Sequence, residues 1–174
     1  IPLGQAASWD LEAIEKSCRI SAIEATAEGI HWTFAPMVDI SRDPRWGRTE
    51  ETYGEDPYLV SRLGVAAVRG LQGDTFTGGP EQVVATAKHF AAHGQPEAGT
   101  NAGPANYSER ILREELFPSY EAAVREGRIG SVMASYNEIN GVPDHINRWL
   151  LTDVLRREWG FDGLIVSDGG GLQM

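Results

Sequence analysis

An aspartate stands directly after a short apolar segment near the C-terminus of the sequence. Residues 163–166 read Gly-Leu-Ile-Val and predict a buried parallel strand, which Ser167 and Asp168 follow. In α/β folds the loops at the carboxyl ends of strands surround a shared crevice, so a carboxylate there is a candidate nucleophile or base. An aspartate that caps a following helix would occupy the same position. This segment by itself leaves both interpretations open.

Further polar residues follow three other strand-like segments. They are residues 38–48 after the first segment, Lys88 and His89 after the second, and Tyr136, Asn137 and Glu138 after the third. Four polar groups on one rim of a parallel sheet are the layout expected of a barrel active site. Since adjacent strand residues point to opposite faces, Lys88 and His89 can share a ligand only if the backbone turns there.

The first polar loop is rich in charged residues. Its arginines 42, 45 and 48 alternate with the acidic residues Asp39, Asp43, Glu50, Glu51, Glu55 and Asp56. Most of these charges fit a solvated network of salt bridges. Arg48 is singled out because Gly47 precedes it, and glycine lets the backbone bring a guanidinium group close to a ligand.

Two patterns that could bind a metal or a phosphate are incomplete. His89 and His93 have the spacing of a zinc pair, but no glutamate follows His89 and a strand end is expected there. Gly169, Gly170 and Gly171 follow a strand but lack the Lys-Ser/Thr pair of a phosphate loop. The sequence therefore predicts no metal site and no cofactor.

Strand-like and helical patterns alternate along the chain and must position these side chains. The predicted strands are residues 31–36, 83–90, 131–135 and 163–166. The helices between them are expected to begin after the caps Asp56 and Ser108 and from Asn147. This alternation predicts right-handed crossovers and a parallel sheet. Periodicity alone fits both half of a (β/α)8 barrel and a small doubly wound sheet.

Composition limits the class of protein and its partners. A chain of 174 residues can form one domain with a real core. The formal charge of −10 argues against nucleic acid or an anionic membrane as a partner, and no apolar run is long enough to span a bilayer. The single cysteine, Cys18, excludes an internal disulfide. Because the N-terminus lacks both an initiator methionine and a signal peptide, the chain is expected to belong to a longer protein.

Five segments in order resemble the N-terminal barrel domain of glycoside hydrolase family 3. They are RDPRWGR at 42–48, YGEDPYL at 53–59, AKHF at 87–90, MASYN at 133–137 and GLIVSD at 163–168. The resemblance implies a (β/α)8 TIM-type barrel with parallel strands. Residues 1–174 would be an interior portion of that domain with about four βα units.

The resemblance also implies roles for individual residues. Asp168 matches the nucleophile, Arg48, Lys88 and His89 match residues that bind the sugar hydroxyls, and Tyr136 matches the tyrosine beside the nucleophile. The implied reaction is retaining, exo-acting hydrolysis of a β-linked oligosaccharide or an aryl or alkyl β-glycoside, without metal or cofactor. In this family the acid/base usually comes from a later domain, and no glutamate of this chain matches it.

The resemblance favours a β-glucosidase, with a β-xylosidase of the same family as the alternative. A β-N-acetylhexosaminidase fits less well, because residues 90–97 lack the Asp-x-His couple of that subgroup. A non-catalytic, sugar-binding or structural fragment is another interpretation, since the acid/base residue is missing. The chain also has Gly169 where the family often has an aromatic residue. The parent protein is expected to be periplasmic or secreted.

Overall fold

The computed structural model describes residues 1–173 and has an α/β fold, as predicted. The α-helices are α1 (Pro2–Ala6), α2 (Leu11–Ala27), α3 (Pro57–Gln72), α4 (Glu109–Ile111) and α5 (Pro118–Arg125). The strands are β1 (Thr86–Phe90), β2 (Ser131–Ala134), β3 (Glu138–Ile139), β4 (Val142–Pro143) and β5 (Leu164–Ser167). Two π-helical segments, Leu112–Leu116 and Trp149–Glu158, complete the longer elements.

The main sheet is parallel, with the strand order β1-β2-β5. The predicted strand at 31–36 is present only as an extended segment beside β1, joined to it by isolated bridges. In this segment the Thr33 amide donates to the Val84 carbonyl at 2.9 Å and the Val38 amide to the Lys88 carbonyl at 3.0 Å. Pro36 lies between these contacts and has no N–H to donate, which explains the interrupted ladder.

The order of the strands distinguishes the two architectures that periodicity left open. From residues 31–39 through β1 and β2 to β5, spatial order follows chain order without reversal. Right-handed crossovers in one direction place successive helices on the same face of a sheet. Helix α3 accordingly packs against both α2 and α5. This singly wound arrangement is that of a portion of a (β/α)8 barrel, since a doubly wound sheet reverses its order at a switch point.

The predicted helix starts are confirmed, but one helix is interrupted. The Asp56 carboxylate accepts from the Leu59 amide at 2.7 Å, and the Ser108 hydroxyl accepts from the Ile111 amide at 3.4 Å. After Ser108, helix α4 passes into a π-helical segment before α5 begins at Pro118. Proline cannot donate the backbone hydrogen bond that a continuous helix requires at this point.

A short antiparallel hairpin in the loop after β2 was not predicted. It consists of β3 and β4, joined by Asn140 and Gly141 with φ angles of 52° and 81°. Asn-Gly is the preferred pair for a turn with two positive φ angles, so the sequence does carry a signal for this hairpin. The hairpin follows Tyr136 and leads into Asp144, so it shapes one side of the rim.

An aromatic cluster lies beneath the carboxyl end of β1. The Phe90 ring packs against the rings of Phe117, Tyr120 and Trp159 at centroid distances of 5.6, 5.2 and 5.5 Å. All four side chains are buried, and such pairs stabilise a core beyond the area that they bury. This cluster gives the rim a rigid floor. Within residues 1–173, no helix has the length and apolar content needed to cross a bilayer.

Candidate active site

The carboxyl ends of the parallel strands converge, as the sequence predicts. Asp39 ends the extended segment 31–39, His89 lies near the end of β1, and Asp168 directly follows β5. One imidazole connects the two carboxylates, because His89 Nδ1 lies 3.0 Å from Asp39 Oδ2 and His89 Nε2 lies 3.7 Å from Asp168 Oδ2. These three side chains form the centre of the candidate site.

The backbone turn that Lys88 and His89 require is present as an irregularity in β1. Ala87 pairs with Val132 but Phe90 pairs with Ala134, so β1 uses three steps where β2 uses two. An extra residue in one strand re-aims the side chains next to it. The irregularity falls at Lys88 and His89 and brings His89 into the site.

Asp39 is saturated with hydrogen bonds. Its side chain is 1% exposed. Oδ2 accepts from the backbone amide and the Nδ1 of His89, both at 3.0 Å, and Oδ1 accepts from the Tyr120 hydroxyl at 2.7 Å. Burial would raise the pKa of Asp39, but the hydrogen bond and charge of His89, with smaller contributions from His93 and Tyr120, hold that pKa below its usual value. Asp39 is therefore an ionised carboxylate with no free capacity for chemistry.

Asp168 differs in having an oxygen without a partner. Oδ1 accepts from the Gly169 amide at 2.8 Å, whereas Oδ2 has no hydrogen-bond partner among the described residues. The side chain remains 15% exposed. An unpaired carboxylate oxygen shielded from water is unfavourable, and such an exception calls for an explanation in function. A substrate or a transferred proton would satisfy it.

Arg48 lies near Asp39 and Asp168, and its guanidinium group is held by Glu51 and His93. Gly47, with φ of 83°, turns the backbone ahead of it. Nε and Nη2 donate to the two oxygens of Glu51 at 2.8 and 2.9 Å, and Nη1 donates to His93 Nε2 at 2.9 Å. The hydrogen bond to Glu51 is the main cause of a raised pKa at Arg48, and the charges of Glu51, Asp39 and Asp168 raise it further. Three of its five N–H groups are thus used, and two remain for a ligand.

Lys88 is the predicted site residue that the structure connects least directly to the others. Its ammonium group has no hydrogen-bond partner within residues 1–173, and the basic group beside Asp168 is the imidazole of His89 instead. Its charge acts on Glu51, whose pKa is lowered first by the bond to Arg48 and then, among smaller contributions, by Lys88. Lys88 and Glu51 both line a cavity of about 350 Å³ between helices α2 and α3 and the segment 33–37.

Tyr136 is close to the aspartate that it was predicted to accompany. Its hydroxyl donates to the carbonyl of Gly169, the residue directly after Asp168. Partial burial and then the charge of Asp168 raise the pKa of Tyr136, so the phenol stays protonated. His145 supports the same strand end from the hairpin side, where its Nε2 lies 3.0 Å from the Ser167 hydroxyl.

A third aspartate, Asp144, is buried beside the turn that follows β1. It is fully buried, and its Oδ2 accepts from the Ala91 amide at 3.0 Å while Oδ1 has no partner within residues 1–173. Burial raises the pKa of Asp144 well above its usual value. Burial therefore favours the protonated form of Asp144, which anchors the turn after β1 through the hydrogen bond from Ala91.

His89 and His93 do come together, although not as a metal pair. Their ring centroids lie 4.4 Å apart, but Nδ1 of His89 is bound to Asp39 and both ring nitrogens of His93 have partners. Within the described part of the chain, no group of three or more metal-ligating side chains could hold an ion.

The sequence-based expectations gave no specific role in the site to Asp39, Tyr120, His93, Asn137 or Glu51. Asp39 was counted among the polar residues of the rim and among the charges that fit a solvated network, and the second interpretation is wrong because its side chain is buried. A signal for Asp39 was available, since it ends a strand-like segment just as Asp168 does. Tyr120 carried no such signal. It lies on helix α5 at a position that fits an ordinary apolar stripe.

Comparison with known proteins identifies the family. A model of the glycosyl hydrolase family 3 N-terminal domain matches residues 1–174. A β-xylosidase from Formosa agariphila is 50% identical over 169 residues, which cover 94% of this chain and 23% of that protein. A periplasmic β-glucosidase from Salmonella typhimurium is 44% identical over 173 residues, which cover 99% of this chain and 22% of that protein.

A solved structure gives the same result. A mutant β-glucosidase from Listeria innocua, in complex with laminaribiose, matches with a TM-score of 0.96 and 44% identity. The match covers 99% of this chain and 24% of that one, so the chain spans roughly a quarter of the length of these relatives. The fold, the order of the motifs and these similarities agree. This chain belongs to glycosyl hydrolase family 3, within its N-terminal domain.

Proposed function

We propose that the protein that contains this chain hydrolyses β-glycosidic bonds from the non-reducing end, with retention, through a covalent intermediate on Asp168. One observation carries the proposal. Asp168 follows β5 at the rim where the strands converge, and one of its carboxylate oxygens has no partner. The names of the related β-glucosidases and β-xylosidase support this substrate class.

The proposed reaction proceeds in two displacements. A carboxylate oxygen of Asp168 forms a bond to the anomeric carbon while the bond to the leaving oxygen breaks, and a second carboxylic acid gives its proton to that oxygen. Water then attacks the anomeric carbon, the same second group takes the proton of the water, and Asp168 leaves as a carboxylate. In retaining enzymes the two carboxyl groups are about 5–5.5 Å apart.

Three carboxyl groups near the site do not suit the role of the acid. An acid must hold its proton at the working pH. Asp39 and Glu51 have lowered pKa values, Asp39 because of His89 and Glu51 because of Arg48. Asp144, whose pKa is raised well above its usual value by burial, is fully buried. We therefore propose that the acid/base belongs to a second domain of the parent protein, outside residues 1–174.

The side chains around Asp168 are proposed to hold the sugar. Hydroxyl groups donate and accept, so they need a mixed set of partners. Arg48 offers two free N–H groups, Lys88 offers its ammonium, and His89 presents Nε2 toward Asp168. Tyr136 supports the loop at Gly169 and lies within the field of the nucleophile.

The favoured activity is that of a β-glucosidase, and a β-xylosidase is the second candidate. The Listeria and Salmonella relatives carry the first name, but the Formosa relative with 50% identity carries the second. Aryl β-glucoside and aryl β-xyloside hydrolysis by the full-length protein would separate the two by their kcat/KM values. A protein that hydrolyses neither substrate would contradict the proposal.

Residues 1–174 alone are proposed to bind sugar or serve structurally without turnover. An aryl β-glucoside assay on this chain should show no rate above that of an Asp168→Ala control. Clear hydrolysis that depends on Asp168 would show that no further carboxyl group is needed. The name of the Salmonella relative also supports the proposal that the parent protein is periplasmic or secreted.

A further inference from the structure

We propose that His93 is a positioning residue, which holds the Arg48 guanidinium in the orientation that binds a sugar hydroxyl. The inference rests on the proposed function, because it concerns how the same site holds its sugar. His93 is 0% exposed and lies on the turn after β1, where its ring is placed between Arg48 and Asn137. Its place in the sequence suggested at most half of a metal pair.

The tautomer of His93 follows from its partners. A guanidinium group can only donate, so His93 Nε2, 2.9 Å from Arg48 Nη1, must accept. Nδ1 therefore carries the proton and donates to Asn137 Oδ1 at 2.6 Å. The Asn137 amide is itself fixed, since its Nδ2 donates to the Gly103 carbonyl at 2.5 Å and its Oδ1 also accepts from the Ser135 hydroxyl at 2.5 Å.

The hydrogen bonds from Arg48 through His93 to Asn137 fix Nη1 of Arg48, the terminal nitrogen that Glu51 does not bind. Glu51 holds Nε and Nη2, but its side chain is 41% exposed, so water competes for that pair. The contact with His93 is part-buried, but its histidine side is fully buried and connects to the backbone through Asn137. The two remaining N–H groups of Arg48, one on each Nη, therefore point in directions that the core of the protein determines.

The orientation requires a neutral His93 ring. A protonated ring would present an N–H to another N–H of Arg48, and the hydrogen bond would be lost. Burial lowers the pKa of His93, and the charges of His89 and Arg48 lower it further. The charge of Asp39 and the hydrogen bond to Asn137 raise it, but the net shift is downward. The His93 ring also packs against the rings of Trp46 and Tyr136, at centroid distances of 5.3 and 6.3 Å.

The pH dependence of sugar binding follows from this requirement. The ring is neutral at and above neutral pH, and the contact with Arg48 is intact there. As the pH falls through the pKa of His93, which is lower than usual for histidine, the contact breaks and sugar affinity falls. A group that only filled space would give no such dependence.

Glucose binding to the full-length protein tests the proposal, measured by titration calorimetry at pH 7 and at decreasing pH values down to the lowest at which the protein stays folded. His93→Phe keeps a ring but loses the acceptor, and it should weaken glucose binding by about 10- to 100-fold, the range for a hydrogen bond to a charged group. His93→Gln keeps an uncharged acceptor. It should bind glucose within about threefold of wild type at pH 7 and lose the decrease in affinity that wild type shows in the acid range.

Matched controls separate positioning from folding. His31→Gln removes an exposed histidine and should leave both affinity and its pH dependence unchanged. Thermal unfolding of each variant identifies a folding defect. If His93→Phe is unfolded, the glutamine variant and its pH profile decide the question.

The outcomes for this inference and for the proposed function are distinct. Equal glucose affinity in wild type and a folded His93→Phe variant would overturn the positioning role, as would a glutamine variant that keeps the wild-type pH dependence. Glucose binding that depends on His93, in a protein that hydrolyses no aryl β-glycoside, would refute the proposed function alone. A wild-type protein that binds neither glucose nor xylose would overturn both.

Discussion

Asp39 and Asp168 face the same imidazole from opposite sides but differ in what surrounds them. Asp39 is 1% exposed and accepts hydrogen bonds from His89 and Tyr120 on both of its oxygens. Asp168 is 15% exposed, and its Oδ2 has no partner among the described residues. Both aspartates end a strand or strand-like segment, so sequence position alone does not separate them.

The difference teaches how a structural carboxylate can be told from a reactive one. A buried carboxylate whose oxygens are all occupied stabilises the fold and has nothing left to offer a substrate. A carboxylate oxygen that is shielded from water and has no hydrogen-bond partner is unfavourable, and a bound substrate can supply the missing partner. Asp144 adds a third case, because it is fully buried with one donor and burial raises its pKa well above the usual value.

The largest expected effect is on activity, and it comes from Asp168. Asp168→Asn replaces the carboxylate with an amide of the same shape that cannot form the covalent intermediate. If the proposed covalent intermediate forms on Asp168, kcat of the full-length protein for an aryl β-glucoside should fall at least about 1,000-fold, with thermal stability unchanged. Asp153→Asn, which alters a surface aspartate paired with Arg157, is the matched control and should keep full activity. A small loss of kcat in Asp168→Asn would place the nucleophile elsewhere.

Asp39 should show the opposite behaviour, with a large effect on stability. Asp39→Ala leaves the buried His89 Nδ1 without its acceptor, while the Tyr120 hydroxyl keeps only the His89 carbonyl, at 2.8 Å. Breaking a buried pair in this way lowers the free energy of unfolding by about 3–5 kcal/mol. Urea unfolding of wild type and Asp39→Ala measures this. A variant as stable as wild type would show that Asp39 is not the structural member of the two.

Tyr120 provides a milder version of the same experiment. Tyr120→Phe removes one donor to Asp39 and leaves the ring packed against Phe90. Loss of a hydrogen bond to a charged group should lower the free energy of unfolding by about 1.5–3 kcal/mol. The phenylalanine variant Tyr58→Phe, at an exposed tyrosine, controls for loss of a hydroxyl and should change stability little. If Tyr120→Phe and Tyr58→Phe lower the free energy of unfolding equally, the hydrogen bond from Tyr120 to Asp39 does not stabilise the fold.

The smallest expected effect is a change in the pH dependence of stability at Asp144. Its folded pKa lies above the ordinary value of 3.8, so its contribution is complete below pH 3.8 and is lost as the pH rises through the folded pKa. Asp144→Asn stays neutral at all pH values. The variant should match wild type near pH 3.5 and exceed its free energy of unfolding at pH 7.

Asp39 is expected to have the reverse pH dependence. Its folded pKa lies below 3.8, so its contribution is present above pH 3.8 and is lost as the pH falls through the folded pKa. Urea unfolding at both pH values compares the two sites. If Asp144→Asn is less stable than wild type at pH 7, the buried carboxyl is not held as a neutral acid.

Much of the fold could be predicted from local patterns. The caps at Asp56 and Ser108 and the strand before Asp168 were predicted correctly, because each depends on neighbouring residues. The segment at 31–36 was wrong as a regular strand, since Pro36 interrupts its pairing with β1. The hairpin at Asn140 and Gly141 was missed although its turn pair is a strong local signal.

The environment of the site could be predicted only in part. The strand-end position of Asp168 was visible in the sequence, and the resemblance suggested Arg48, Lys88, His89 and Tyr136 as its companions. Whether a carboxylate is saturated depends on partners far away in the chain, such as Tyr120 for Asp39, which is 81 residues away. No spacing rule encodes such a contact.

Trapping the intermediate tests the central claim most directly. A 2-deoxy-2-fluoro-β-glucoside with a good leaving group slows hydrolysis of a glycosyl-enzyme more than its formation, so the adduct accumulates on the full-length protein. Proteolysis and mass spectrometry then locate the sugar. We predict one fluoroglucosyl group on the peptide that contains Asp168, and none in Asp168→Asn. A sugar attached to Asp39 or to any other residue, or an active protein that forms no adduct, would contradict the account.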